Sequence, residues 1–188
     1  MKKIAFAIGA SIAAVALPAA AQAQAYAGVS AGYHDLGIAD DVEDLFDDSD
    51  FDVQIDDGSP IIGGFVGYDF PVGTGAFAGI EANLHLGTDA IDTEYGASAR
   101  FGFADAGGAK YYLRGGYQEV SLDYAEMITV DGITFDDSEF DGLDDTFGDF
   151  LVGAGVDFPM GTGTLLRVNV DTVGFDTVRA TAGFGFRF

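Results

Sequence analysis

The chain closes on ATAGFGFRF, residues 180–188, with phenylalanine at 184, 186 and 188. Apolar rings at two-residue spacing define one face of a β-strand. The opposite face is Thr181, Gly183, Gly185 and Arg187. Chain ends in a water-soluble domain are usually frayed and polar, so a closing strand whose apolar face ends on three rings requires an apolar solvent on that side.

The same alternation recurs through the chain. In AFAGIEANLHLG (76–87), Ala78, Ile80, Ala82, Leu84 and Leu86 share one face, and Gly79, Glu81, Asn83 and His85 the other. Comparable strands are read at 26–36, 61–70, 94–103, 110–118, 149–158, 164–172 and 177–188. Each has about ten residues, the ~9–11 that a tilted spanning strand needs. All five arginines, 100, 114, 167, 179 and 187, fall on the polar faces, which are otherwise mostly Gly, Ser, Asn and Thr. A soluble sandwich would carry Lys and Glu there. A sparse polar face suits the tight lumen of a small barrel, whose interior is just wide enough for side chains. The apolar face then meets lipid, where every backbone group must be paired and the sheet must close. The phase of the alternation breaks at Val120 to Tyr124, which predicts a bulge or the end of the membrane region there.

The connections alternate between short and long, as in membrane barrels. PVGTG (71–75), ADAGGA (104–109) and PMGTG (159–163) are short. The acidic segments near 37–59 and 119–146 are long and belong outside the cell, with two shorter companions at 87–92 and 173–176. The expected orientation puts the short turns and both chain ends in the periplasm. YDFPVGTG (68–75) returns as VDFPMGTG (156–163), so the second and sixth strands enter equivalent turns.

At the other end, Lys2 and Lys3 precede an apolar run from Ile4 to Leu17 and the small-x-small triplet Ala21-Gln22-Ala23. That order is a secretory leader, 1–23, with cleavage before Gln24. The apolar run is shorter than the ~20 residues of a spanning helix. The formal net charge of −23, two of whose eight basic residues lie in the leader, argues against nucleic acid as a partner. The absence of cysteine excludes disulfides and thiolate chemistry.

Together the leader, AYAGVSAGYHDLG at the expected mature start, GGFVGYDFPVGTGAFAGIEANL and the closing RATAGFGFRF resemble the opacity-like small outer-membrane proteins. These belong to the OmpA/OmpX-like eight-stranded superfamily of Gram-negative bacteria. The resemblance implies an all-β, eight-stranded antiparallel transmembrane barrel over 24–188. It places the protein in the outer membrane after export through the periplasm, with lipid and lipopolysaccharide as its surroundings. It also implies that the barrel assembly machinery reads Phe188, with Phe184 and Phe186 before it, as an assembly signal. A peptidoglycan-binding domain after the last strand is not expected.

Inside the barrel, Glu81, Glu94, Asp149, Asp157 and Asp171 are expected to pair with Arg100, Arg114, Arg167, Arg179 and Arg187. Buried charges must be paired, and five of each sign balance. His34 and His85 are polar-face residues, and His85 has no serine at a spacing that suggests a nucleophile and its base. Of the acidic segments, 40–57 carries Asp40, Asp41, Glu43, Asp44, Asp47, Asp48, Asp50, Asp52, Asp56 and Asp57. In the other, DSEFDG (137–142) matches the first half of an EF-hand loop through Asp137, Glu139 and Asp141, but Gly148 stands where that loop needs Glu. Ca²⁺ or Mg²⁺ at these loops is the one ion the sequence brings up, and no resident cofactor is expected. ITVDGITFDD (128–137) reads as a protruding hairpin turning at Asp131-Gly132.

These features support a structural or surface-interaction role, with the lumen plugged by ion pairs and the acidic loops contacting an extracellular protein or surface ligand. A narrow passive porin-like channel is the alternative and a lipid-modifying enzyme the third reading; the chain is not expected to be an enzyme.

Overall fold

The computed structural model describes residues 24–37, 53–124, 128–130, 133–134 and 146–188. Eight long strands form one closed barrel. They are β1 (Gln24–Asp35), β3 (Gly58–Pro71), β4 (Ala76–Gly87), β5 (Ile91–Ala104), β6 (Lys110–Leu122), β9 (Thr146–Pro159), β10 (Thr164–Val173) and β11 (Val178–Arg187). Each pairs antiparallel with its neighbours in sequence, and β1 closes the ring on β11 from Tyr26↔Arg187 to Asp35↔Val178. Three short strands, β2 (Val53–Ile55), β7 (Ile128–Val130) and β8 (Ile133–Thr134), form a separate sheet in the order β2-β7-β8. The expected leader, 1–23, lies outside the described residues.

The two faces invert a soluble protein. Val29, Ile80, Leu113, Phe150 and Val170 are exposed, Leu113 by 70%. The buried set is dominated by Arg, Asp, Glu, His, Asn and Ser. Phe184, Phe186 and Phe188 lie on the exposed apolar face. Rings gather toward the strand ends: Phe101, Phe103, Tyr111 and Phe158 by the short turns, Tyr33, Tyr95 and Tyr117 by the long loops. Such girdles mark the rims of the apolar band on a membrane barrel.

The repeated turn motif builds two equivalent corners. Val72 N–H donates to Ala76 O at 3.1 Å, and Met160 N–H donates to Thr164 O at 3.0 Å. Gly75 and Gly163 adopt φ of +77° and +78°, a left-handed conformation open to glycine at little cost. Each carbonyl then accepts the next strand's N–H at 2.7 Å, from Ala104 and from Arg187.

The irregularity predicted at Val120–Tyr124 is present: β6 ends at Leu122, and its ladder with β5 changes register between the Ser121 and Leu122 pairs. β6 keeps its alternation through Val120, which is fully buried. On its partner the shift falls between Ile91 and Thr93. The chemistry of the inward face changes at the same level: Leu36, Ala90, Ile91 and Val120 form a buried apolar cluster at the long-loop end, with Leu122 and Tyr124 packed on it.

The predicted hairpin at 128–137 has its two strands, with Val130↔Ile133 flanking the turn position 131–132. In addition β7 pairs with β2, Val53↔Val130 to Ile55↔Ile128. This ladder joins the two long acidic segments, neither of which contains Lys, Arg or His.

Candidate functional site

Barrel closure brings the inward charges of seven strands into one continuous network. Its centre is Glu81, at the middle of β4. Its carboxylate accepts from Tyr26 Oη at 2.8 Å, Arg100 Nη1 at 3.1 Å, Arg114 Nη1 at 3.1 Å, and from Arg167 Nη1. Asp157 accepts from Arg167 Nε at 2.6 Å and Nη2 at 2.8 Å, from Arg100 Nη2 at 2.9 Å and from Tyr112 Oη at 3.2 Å. Asp69 takes Arg100 Nη2 at 3.0 Å and Lys110 Nζ at 2.8 Å. These contacts fill the half of the lumen nearer the short turns.

Aromatic rings complete that half. Arg100 stacks on Tyr112 at 4.1 Å and Tyr26 at 4.7 Å, and Arg167 on Phe65 at 4.3 Å and Tyr26 at 4.9 Å. A guanidinium over an aromatic face gains ring-quadrupole attraction without needing further acceptors. Glycines make the room: Phe65 lies over Gly28, Gly183 and Gly185.

The other half centres on Glu94. It accepts from Arg179 Nη1 at 2.6 Å and contacts His34 Nδ1 at 2.7 Å. His85 Nδ1 stands 3.1 Å away, within ion-pair reach but without hydrogen-bond alignment. Arg179 also donates to Asp171 at 3.1 Å. Arg114 links the halves, since its Nε is 3.3 Å from Asp171 Oδ1 while its Nη1 holds Glu81.

Among the described residues, five cations (Arg100, Lys110, Arg114, Arg167 and Arg179) thus face five carboxylates (Asp69, Glu81, Glu94, Asp157 and Asp171). Two expected members are corrected. Asp149 is exposed at the long-loop rim, one inward position beyond buried Leu151, and its carboxylate accepts the Phe150 N–H at 2.6 Å. Arg187 is half-buried at the opposite rim and makes no ion pair among the described residues. Arg187 is the last inward position of β11 and Asp149 the last but one of β9, where the lumen opens. Asp69 and Lys110 take their places in the count. Asp69 was legible in the repeat, because YDF and VDF place Asp69 and Asp157 alike and both hold Arg100. Lys110 opens β6 and Tyr26 is the third residue of β1, near strand starts where the alternation gives the least signal.

The structure also supplies a partner that spacing did not. Ser30 Oγ lies 2.8 Å from His85 Nε2, across Gly63 on the strand between them. Ser30, His85 and Glu94 therefore line up as hydroxyl, imidazole and carboxylate, and His34 stands on the other side of Glu94 with its Nε2 3.1 Å from Thr177 Oγ1. In chemical terms this is a nucleophile, base and orienter sequence. Ser30 is 7% exposed, and Glu94 is shared with Arg179 and His34.

Among the described residues no group of three or more His, Asp or Glu is placed to hold a metal ion. The candidates Asp137, Glu139 and Asp141 lie outside the described residues, as does most of 40–57.

The chain is similar to the N-terminal β-barrel domain of Pseudomonas aeruginosa OprF, at 12% identity and a TM-score of 0.50, over 89% of this chain and 98% of that one. The fold is that of the eight-stranded outer-membrane β-barrels. Further similar structures are Ail of Yersinia pestis in complex with the heparin analogue sucrose octasulfate (15% identity, TM-score 0.47, 87% and 99% covered) and Neisserial surface protein A (12%, 0.46, 88% and 97%). No protein-family model matches the chain, and no curated protein sequence matches it.

Proposed function

We propose that the protein is an integral outer-membrane barrel that works from its surface. Its lumen is a structural plug, its short turns face the periplasm, and its acidic outer loops contact an extracellular protein or surface ligand. The observation that carries this reading is the balanced filling of the lumen, in which Glu81, Asp157 and Glu94 are each held by two or more basic side chains. A path for solutes has no room beside these pairs in a barrel of this size. That leaves the loops as the part free to act, and the β2–β7 ladder gives the two acidic segments a common base.

Within the same reading the exposed Phe184, Phe186 and Phe188 serve the assembly machinery, and outer-membrane lipid and lipopolysaccharide surround the belt. Ca²⁺ or Mg²⁺ screens the loop carboxylates against the anionic lipid. The chain is not an enzyme, because buried Ser30 offers no open face to a substrate and Glu94 is committed to structural partners.

The test compares two strains. One displays the intact chain, and the other a chain with 38–52 and 135–145 replaced by short Gly-Ser turns. Adhesion to cell and mineral surfaces is measured across a calcium titration, and both strains are treated with a fluorophosphonate. Adhesion should fall in the trimmed strain while the barrel stays folded, and Ser30 should stay unlabelled. Equal adhesion would overturn the surface role, and labelled Ser30 would overturn the non-enzymatic reading.

A further inference from the structure

One buried hydroxyl at the long-loop end has a single hydrogen and two acceptors within reach of it. Thr177 Oγ1 stands 3.1 Å from His34 Nε2 and 3.2 Å from the Val173 carbonyl oxygen, and it accepts the Val173 N–H at 3.0 Å. All three residues are more than nine-tenths buried. The state of His34 decides which acceptor the hydrogen takes.

The other ring nitrogen fixes the tautomer. His34 Nδ1 lies 2.7 Å from Glu94 Oε2, and the same carboxylate accepts from Arg179 Nη1 at 2.6 Å. An ionised carboxylate only accepts, so Nδ1 carries a hydrogen in every state. Neutral His34 then has a bare Nε2, which takes the Thr177 hydrogen. With a second proton on the ring, Nε2–H donates to Thr177 Oγ1 instead, and the hydroxyl hydrogen turns to Val173 O. Both arrangements satisfy both ring nitrogens, so one proton separates two complete hydrogen-bond patterns.

The surroundings suit that proton. In the ladders His34 is opposite Arg179 on β11 and Ser59 on β3. Across the lumen stand Glu94 on β5, with His85 of β4 on its other side, and Asp171 on β10, which holds Arg179. β6 presents neutral Gln118 and Val120 at this level. Glu94 and Asp171 therefore face Arg179 and only a share of Arg114, whose Nη1 belongs to Glu81. Asp35, Asp57, Asp89, Asp123, Asp149 and Asp176 stand beyond, at the rim. His85 meets Glu94 less well than His34 does, because its Nδ1 lacks hydrogen-bond alignment.

The segment that feels the proton is the turn joining β10 to β11. Gly174 and Phe175 lie there at φ of +69° and +73°. The second is a left-handed conformation that costs a side chain energy, and Phe175 is 71% exposed. Thr177 and Val173 form the clasp at the base of this turn. The clasp has two hydrogen bonds when the Thr177 hydrogen points to Val173 O, and one when it points to His34.

We propose that His34 is a proton-binding site whose occupancy sets the closure of the β10–β11 turn: the Thr177 hydroxyl closes on Val173 O when the proton is bound and turns to His34 Nε2 when it leaves. The site does not depend on the surface role of the loops.

The test uses the whole mature chain, refolded in detergent micelles with ¹⁵N in its histidine rings and backbone amides. Spectra are taken from about pH 8 to about pH 5, the range in which histidine changes charge. His34 is expected to pass from a neutral ring protonated at Nδ1 to the doubly protonated ring. The amide shifts of Gly174, Phe175 and Thr177 should follow with the same midpoint. In Thr177→Val the response of the turn should be lost while His34 still titrates, and Thr177→Ser should restore it. A His34 ring that keeps one state across the range would overturn the proposal. So would turn amides that move in Thr177→Val as they do in the unaltered chain. If that variant does not fold, the unaltered chain decides, since a turn midpoint different from that of His34 contradicts the coupling.

Discussion

Glu81 is where the interior is most exposed to a single change. Three arginines and a tyrosine converge on one carboxylate that is 4% exposed. Removing one partner of a buried ion pair leaves the others charged and unmatched, at a cost of about 3–5 kcal/mol. Glu81→Ala should therefore lower unfolding stability by that amount in a denaturant titration of the detergent-refolded barrel. Lys110→Ala should cost under about 1 kcal/mol, because Lys110 lies at the rim and Asp69 keeps Arg100 without it. Equal costs would mean that the network is not centred on Glu81. At this scale the sequence was partly legible. Strict alternation put Glu81, Glu94, Arg100, Arg114, Asp157, Arg167, Asp171 and Arg179 inside. It also put Asp149 and Arg187 there, because alternation carries no information about where along a strand the lumen ends. The Ser30–His85 contact joins residues 55 apart through barrel closure, so no local spacing could have shown it.

At the scale of the strand, the alternation that identifies each element also states its solvent. β10 buries Leu165, Arg167, Asn169, Asp171 and Val173 and exposes Leu166, Val168 and Val170. If that exposed face meets hydrocarbon, the penalty for a charge must depend on depth. Val168→Arg, mid-strand, should cost about 2–4 kcal/mol in refolding equilibria from lipid vesicles, and Phe103→Arg, in the ring girdle, about 0–1 kcal/mol. Equal small costs at both positions would place the face in water. All eight barrel strands were legible, since each carries the pattern over enough residues to set its phase. The pairing of β2 with β7 was not. It rests on three residues from each of two acidic segments far apart in the chain, where composition points only to loop. The apolar inward cap of Leu36, Ala90, Ile91 and Val120 reversed the usual chemistry of the inner face, and so was legible only as the break at Val120–Tyr124.

Across the whole molecule, the wall, the filling and the loops are three consequences of one arrangement. Closure of β1 on β11 removes every open edge of the main sheet, which permits an apolar exterior in lipid. The small circumference forces the interior to be solid, and glycine-lined walls let arginine and tyrosine fill it. Both ends are then finished differently: a cation–aromatic stack toward the short turns, an apolar cap toward the loops. Nothing in this arrangement needs a moving part, which is why the surface reading assigns activity to the loops.

A plugged lumen is tested by single-channel conductance of the mature protein in a planar bilayer, using protein shown to be folded by its heat-dependent gel migration. No discrete openings are expected, with or without Ca²⁺. Reproducible stepwise openings from the unaltered chain would show that the luminal arginines and carboxylates line a path, and would contradict the plug.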